Sequence, residues 1–248
     1  MANKIPNLVS ELKVNGTSFP VKVFLENRRS ARVSITKSGI LIRIPKWLPA
    51  SQRDQQIEHF KGWAKKRIVA KPQLSERVQP VEYADGQILK VGEFNYTLRF
   101  QETKENDSTA KQSGDVILLQ ISTNMDPAET YKATSYLVYK IVAQHQKPYM
   151  MQRIKRLNEQ HFQQTIRGIR LKNNSTNWGS CSGKGNINIS ARLLFAPEWV
   201  QDYVCIHELA HLIESNHSVH FWRLVHSAMP DYKSAEKWLK VNGELCRF

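Results

Sequence analysis

Cysteine is scarce in this chain, three residues in 248, which excludes a disulfide-built scaffold and fits a reducing, cytoplasmic compartment. No apolar run approaches the ~20 residues that a membrane-spanning helix needs, so no membrane role is expected. The opening stretch MANKIPNLVS lacks the apolar segment of a secretion signal. Internal repeats, low-complexity tracts and a basic tail are also missing. Acidic side chains are in short supply: 22 Asp and Glu face 36 Lys and Arg, a net charge of +14. The excess reads as spread along the chain, with clusters at Lys65-Lys66-Arg67 and Arg153 to Arg156. Such a surface is either simply solvated or meets a polyanion, nucleic acid or a nucleotide. What remains is ordinary globular composition, 41% hydrophobic and 23% charged. The length suits one large domain or two small ones with a real core.

The first half alternates like β structure. Phe19 to Phe24, Arg32 to Ile35 and Ile40 to Ile44 read as strands, the last ended by Pro45. Ile57, Phe60, Ala64 and Ile68 recur at helical spacing, which predicts a helix over 52–70 with Ser51 as its cap and Asp54 at the third position. Phe94 to Phe100 and Val116 to Ile121 are strand-like again, and the polar stretch Glu102 to Asp115 reads as a long hairpin loop. Asp126-Pro127 with Glu129 is a strong helix start. That helix is expected to break or restart at Pro148. Short strands at 166–171 and 185–190 follow, around a Gly/Ser/Asn-rich loop, and then helices over about 197–214, 219–229 and 232–242. The expected fold class is α+β: a mostly β region over 1–125 with one helix, then a helical domain over 126–248.

One segment dominates the chemistry: Val204-Cys205-Ile206-His207-Glu208-Leu209-Ala210-His211-Leu212-Ile213-Glu214-Ser215-Asn216-His217. Four residues turn a helix by about 400°, so His207 and His211 leave the same face and can chelate one ion. Glu208 is rotated by about 100° from His207 and can reach a metal-activated water without binding the metal. This is the H-E-x-x-H arrangement with the Glu as general base. Zinc needs a third protein ligand and an open position. His217 is the best candidate, provided the helix stops near Ser215 and Asn216 reverses the chain in the left-handed conformation. Ser218 is placed to cap the next helix. His220 is the competing third ligand, while His59, His145, His161 and His226 lack a partner pattern.

A second feature is Thr176-Asn177-Trp178-Gly179-Ser180-Cys181-Ser182-Gly183-Lys184-Gly185-Asn186-Ile187-Asn188-Ile189, a loop leading into an alternating strand. It reads either as a hairpin anchored by its Trp or as the wall of a cleft whose strand edge aligns an extended substrate. Cys181 offers a thiol as nucleophile or fourth ligand, but no pattern links it to His207, and a fourth ligand would close the site to catalysis.

The stretch Trp178-Gly179-Ser180-Cys181-Ser182, Ile187-Asn188, Tyr203 through His211, Asn216-His217-Ser218, Phe221-Trp222 and Pro230-Asp231-Tyr232-Lys233 resembles the YgjP-like metallopeptidase domain family, a zincin-type family related to SprT-like zinc proteases. The likeness extends more weakly into the N-terminal strands. One departure is Asn177, where the family often has a basic residue. The resemblance implies a zinc-dependent metallohydrolase, most simply a metallopeptidase acting on peptides or proteins, with one Zn²⁺ per chain on His207, His211 and His217. It also implies Glu208 as the catalytic acid/base. Two alternatives are a metal-dependent nucleotide pyrophosphatase and a DNA-associated module with a structural metal site. Tyr232 and Asn188 are candidates for stabilising the transition state.

Overall fold

The structure, a computed structural model, describes residues 6–36, 39–70, 81 and 83–248. It divides into two compact units, residues 1–80 and 81–248. In the first, β1 (Leu8–Val14), β2 (Thr17–Glu26), β3 (Arg32–Thr36) and β4 (Gly39–Pro45) form a sheet in the order β1-β2-β4-β3. Period-2 alternation sends Phe19, Val21 and Val23 of β2 and Ile40, Ile42 and Ile44 of β4 to one face, where all are buried. The parallel β2–β4 register sets Val21 beside Ile40 and Val23 beside Ile42, so these side chains form rows. Helix α1 (Ala50–Ala70) contributes Ile57, Ala64 and Ile68 to the same core. Full burial of each such aliphatic side chain contributes about 1.5–3 kcal/mol. The helix begins one residue before the expected Ser51 cap, because Arg53 N–H already bonds the Pro49 carbonyl at 2.9 Å. Strand β1 was not expected. It is joined to β2 through Asn15-Gly16, whose φ values of 50° and 80° make a two-residue turn matched to strand twist.

The second unit opens with β5 (Ile88–Val91), β6 (Phe94–Thr103), β7 (Thr109–Ser113) and β8 (Val116–Ser122), in the order β5-β6-β8-β7. The expected loop over 102–115 therefore contains a strand. β7 pairs antiparallel with β8, and β6 runs parallel to β8, so β6 and β8 are not a hairpin. Helix α2 (Pro127–His161) starts with a capping box: Asp126 accepts from the N–H groups of Ala128 and Glu129, and Glu129 accepts from Asp126 N–H. It continues through Pro148 instead of breaking there. Proline removes one backbone bond, but Val138, Val142, Met150, Ile154 and Leu157 on both sides are buried in one cluster, which outweighs that loss.

Next come β9 (Gly168–Lys172), β10 (Gly179–Cys181) and β11 (Asn186–Ser190), ordered β10-β11-β9, with β11 parallel to β9. A 3-10 turn at Ala191–Phe195 leads to α3 (Glu198–Ala210), α4 (Val219–Ala228) and α5 (Tyr232–Asn242). One core holds Tyr96, Leu98, Ile117 and Leu119 of the sheet together with Val142 of α2 and Leu209 of α3. Residue 125, where the sequence changes character, lies inside the second of these compact units. The fold is mixed α+β, as expected. Among the described residues no helix is long and apolar enough to cross a membrane.

Candidate metal centre

Helix α3 is apolar on nearly every side: Val200, Tyr203, Val204, Cys205, Ile206, Leu209 and Ala210 are all buried. Its registration is consequently fixed by packing, and its last turn carries His207 and ends at His211, the C-cap. The chain leaves through turns, not through a helix reaching Ser215, and Asn216 is not among the residues with positive φ. His217 returns all the same, because Ser218 caps α4, its Oγ accepting the Phe221 N–H at 3.3 Å. One ring nitrogen from each of His207, His211 and His217 lies within 4.8 Å of the others. His207 Nε2 and His217 Nε2 are 3.1 Å apart.

Phe221, fully buried, lies against all three imidazoles at centroid separations of 4.9, 4.5 and 4.8 Å. Trp222 stacks on His217 at 5.8 Å. Burial, then the neighbouring His211 and His217, pushes His207 down to about 4, so its ring is neutral near pH 7. Burial likewise lowers His211. A carbonyl only accepts, so the 3.0 Å contact between His211 Nδ1 and the Glu214 carbonyl puts the proton on Nδ1 and leaves Nε2 with its lone pair. Three lone pairs converging at the negative end of a helix suit a cation.

Glu208 is buried and points to β10. Burial pushes its carboxyl up to about 8, opposed by a hydrogen bond from the Cys181 backbone N–H. Its Oε2 has no hydrogen-bond partner. The approach of this carboxyl to the strand requires glycine at 179. A Cβ there would lie 2.5 Å from Glu208 Oε1 and 2.6 Å from its Cγ. The β10–β11 register pairs Ser180 with Asn188, which turns the backbone groups of Gly179 and Cys181 toward the outer edge. That edge is partly occupied: Cys181 N–H serves Glu208, and Gly179 O accepts from Asn177 Nδ2 at 2.8 Å. The expected role of this edge as a docking strand for an extended substrate thus loses two of its polar groups. Asn177, the departure from the family pattern, is itself part of the loop's internal bonding, and Asn174 donates to it.

Cys181 stands outside the histidine cluster, and burial, with Glu208 next, raises its thiol to about 11, which leaves it a poor nucleophile. Among the described residues His220 does not join the cluster either. Asn188 donates to Ser180 Oγ at 3.3 Å, and Tyr232 lies stacked between Trp222 and Tyr203. Sequence reasoning assigns no role to Gly179, Phe221 or Arg192, although the first two stand in the motifs that carry the family resemblance. The Arg192 guanidinium donates to the carbonyls of Ser175, Gly243 and Cys246, each at 2.8 Å, and covers Trp178 at 4.6 Å. It thereby anchors the loop that carries Gly179. Only the Trp-Gly pair in that loop hinted at such close packing.

A three-histidine cluster with an adjoining buried carboxyl is a metallopeptidase type of site. The YgjP-like metallopeptidase domain model matches residues 29–242, and the chain belongs to that family. Two solved structures are similar over part of the chain. The metallopeptidase zymogen of Pyrococcus abyssi abylysin is 27% identical, with a TM-score of 0.35, covering 40% of this chain and 96% of its own. The zymogen of Methanocaldococcus jannaschii jannalysin is 18% identical, with a TM-score of 0.33, covering 39% and 96%. No curated protein sequence matches significantly.

Proposed function

We propose that the chain is a zinc peptidase in which His207, His211 and His217 hold one ion and Glu208 moves the proton. The observation that carries this reading is the convergence of three imidazole nitrogens within 4.8 Å, two from the end of helix α3 and one from the turn that follows, beside a buried carboxyl of the same helix with an unpartnered Oε2. Three neutral nitrogen donors with a fourth position open are the donor set of a catalytic zinc, whereas a structural site closes with a fourth protein ligand. Zinc bound there would acidify a water and polarise a substrate carbonyl. In its ionised form, which a cation held beside it would favour over the protonated one, Glu208 takes a water's proton at Oε2 and returns it to the leaving amine. The Cys181 N–H and the space left by Gly179 hold that carboxyl in place. The Glu214 carbonyl fixes the His211 tautomer, and Phe221 backs all three rings.

The test is made at Glu208 and His217. Purified protein should carry about one zinc per chain, the number one three-ligand site holds. His217→Ala should lose most of it and His220→Ala none, by elemental analysis. Glu208→Gln keeps shape and zinc, but an amide cannot shuttle the proton. Its hydrolysis of denatured protein should fall by roughly a hundredfold or more. Nucleoside triphosphates are assayed in parallel, because the same residues would serve phosphoanhydride hydrolysis. Fully zinc-loaded wild-type protein whose best activity survives unchanged in Glu208→Gln would overturn the proposal.

A further inference from the structure

The net charge is not spread evenly between the two units. Residues 1–80 carry 16 Lys and Arg against 5 Asp and Glu, a net +11, whereas 81–248 carry 20 against 17, a net +3. The metal centre lies in the nearly balanced unit. The first unit therefore has an electrostatic character that the hydrolytic chemistry does not call for.

Within it the charge has a focus. The loop after β2 and the loop after β4 are bound together at one end of the sheet. Lys46 N–H donates to the Glu26 carbonyl at 3.0 Å, and Trp47 Nε1 donates to the Arg28 carbonyl at 3.1 Å. Arg53 of α1 bonds the carbonyls of Leu48 and Lys46. Arg28, Arg29, Lys46 and Arg53 are thus gathered round Trp47, and Arg28 Nε has no hydrogen-bond partner. Two features are costly for a surface with no partner. Trp47 is 67% exposed although its indole is held in place by its hydrogen bond. Arg32 of β3 sits directly opposite Arg43 of β4, a like-charged cross-strand pair that repels, and the nearby carboxylate of Glu26, 3.9 Å from Arg43 and 3.7 Å from Arg28, is one negative charge among these arginines. An anion relieves the repulsion, and a planar ring with an open face uses the indole.

We propose that this end of the N-terminal unit binds single-stranded nucleic acid, its phosphates on Arg28, Arg29, Arg32 and Lys46 and a base stacked on Trp47. Unpaired bases present their faces, while a duplex hides them, so a fixed exposed indole selects single strands. An anionic membrane would share the charge but would call for a continuous inserted apolar face; α1 turns Ile57, Ala64 and Ile68 into the core and exposes only Trp63 and Val69, so vesicles form one arm of the test below. The site involves none of the residues assigned to hydrolysis and stands or falls independently of that reading.

The experiment uses the full chain and a fluorescently labelled oligothymidylate of about 20 nucleotides, read by anisotropy at about 50 and about 200 mM salt, where backbone charge contacts weaken steeply. Arg29→Gln/Lys46→Gln should weaken binding about tenfold at the lower salt and flatten the slope of log K against log salt by about 1.4, since each single-strand phosphate contact contributes about 0.7. Trp47→Ala should weaken binding about tenfold, the scale of one stacked base, and Trp47→Phe should restore most of it. Lys237→Gln/Lys240→Gln removes the same charge from exposed positions of α5 and should change affinity by less than about twofold, because those lysines contact no strand. Melting curves confirm that each variant is folded. If Trp47→Ala does not fold, the Trp47→Phe and glutamine pairs still decide the matter. Equal losses in the two glutamine pairs would reduce the effect to net charge and overturn the proposal. So would absent binding at low salt, tighter binding to duplex of equal length, or a preference for phosphatidylserine vesicles over the oligonucleotide.

Discussion

Glycine 179 shows how far a single hydrogen atom in place of a side chain can matter. The carboxyl of Glu208 occupies the space a Cβ would fill, so Gly179→Ala forces either the strand or the carboxyl to move. The proposed metal ligands stand on other residues and should stay put. Gly179→Ala is therefore expected to retain its metal and melt close to wild type, yet lose at least about tenfold in kcat, because a displaced proton acceptor is lost mainly from the transition state. Metal content and steady-state kinetics check it, and an unchanged kcat would refute the positioning role. The histidines and Glu208 were legible because H-E-x-x-H is a local spacing, fixed by helix geometry. Gly179 and Phe221 were not: their roles come from contacts across 29 positions to Glu208 and from packing under three rings, and neither leaves a spacing to read.

At the scale of elements, the turn between α3 and α4 does the assembling. The expected left-handed Asn216 is not what brings His217 back; the chain turns from the helix end at Ala210, and the Ser218 cap then starts α4. Because His217 immediately precedes that cap, Ser218→Ala should cost about 1 kcal/mol in stability. If the whole loss falls on the site, zinc binding weakens by up to about fivefold. Ser218→Thr should behave like wild type, and zinc titration alongside thermal melts separates the cases. The cap itself was legible from residue type, as was the capping box at Asp126. The Asn15-Gly16 turn carried an equally local signal that went unused. Strand β7 and the parallel β6–β8 pairing carried none, since strand partners are chosen by contacts distant in sequence.

For the molecule as a whole, stability without metal depends on pH through two buried groups that oppose each other. An unfolded chain protonates His207 near 6.5, whereas the folded chain resists until about 4, so this group costs stability as pH falls through that window. Glu208 behaves inversely: the folded chain holds its proton up to about 8 while the unfolded chain loses it near 4.5, so stability falls as pH rises. The two trends oppose each other where they overlap. The His207 effect fades out only by about pH 7.5, and with the larger Glu208 effect opposing it the chelated protein should be on the order of 1 kcal/mol less stable at pH 8 than at 6.5. Glu208→Gln should remove that difference in denaturant titrations; a decline that persists in the variant would assign it elsewhere. The sequence by itself determined the α+β class, the helix starts, the histidine spacing and the total charge of +14, because composition, periodicity and capping act over a few residues. The tertiary structure alone decided that the units part after residue 80, that nearly all the excess charge belongs to the first of them, and that a loop glycine, a buried phenylalanine and three imidazoles meet at one point. Those outcomes rest on which apolar surfaces bury one another, a choice made between residues far apart along the chain.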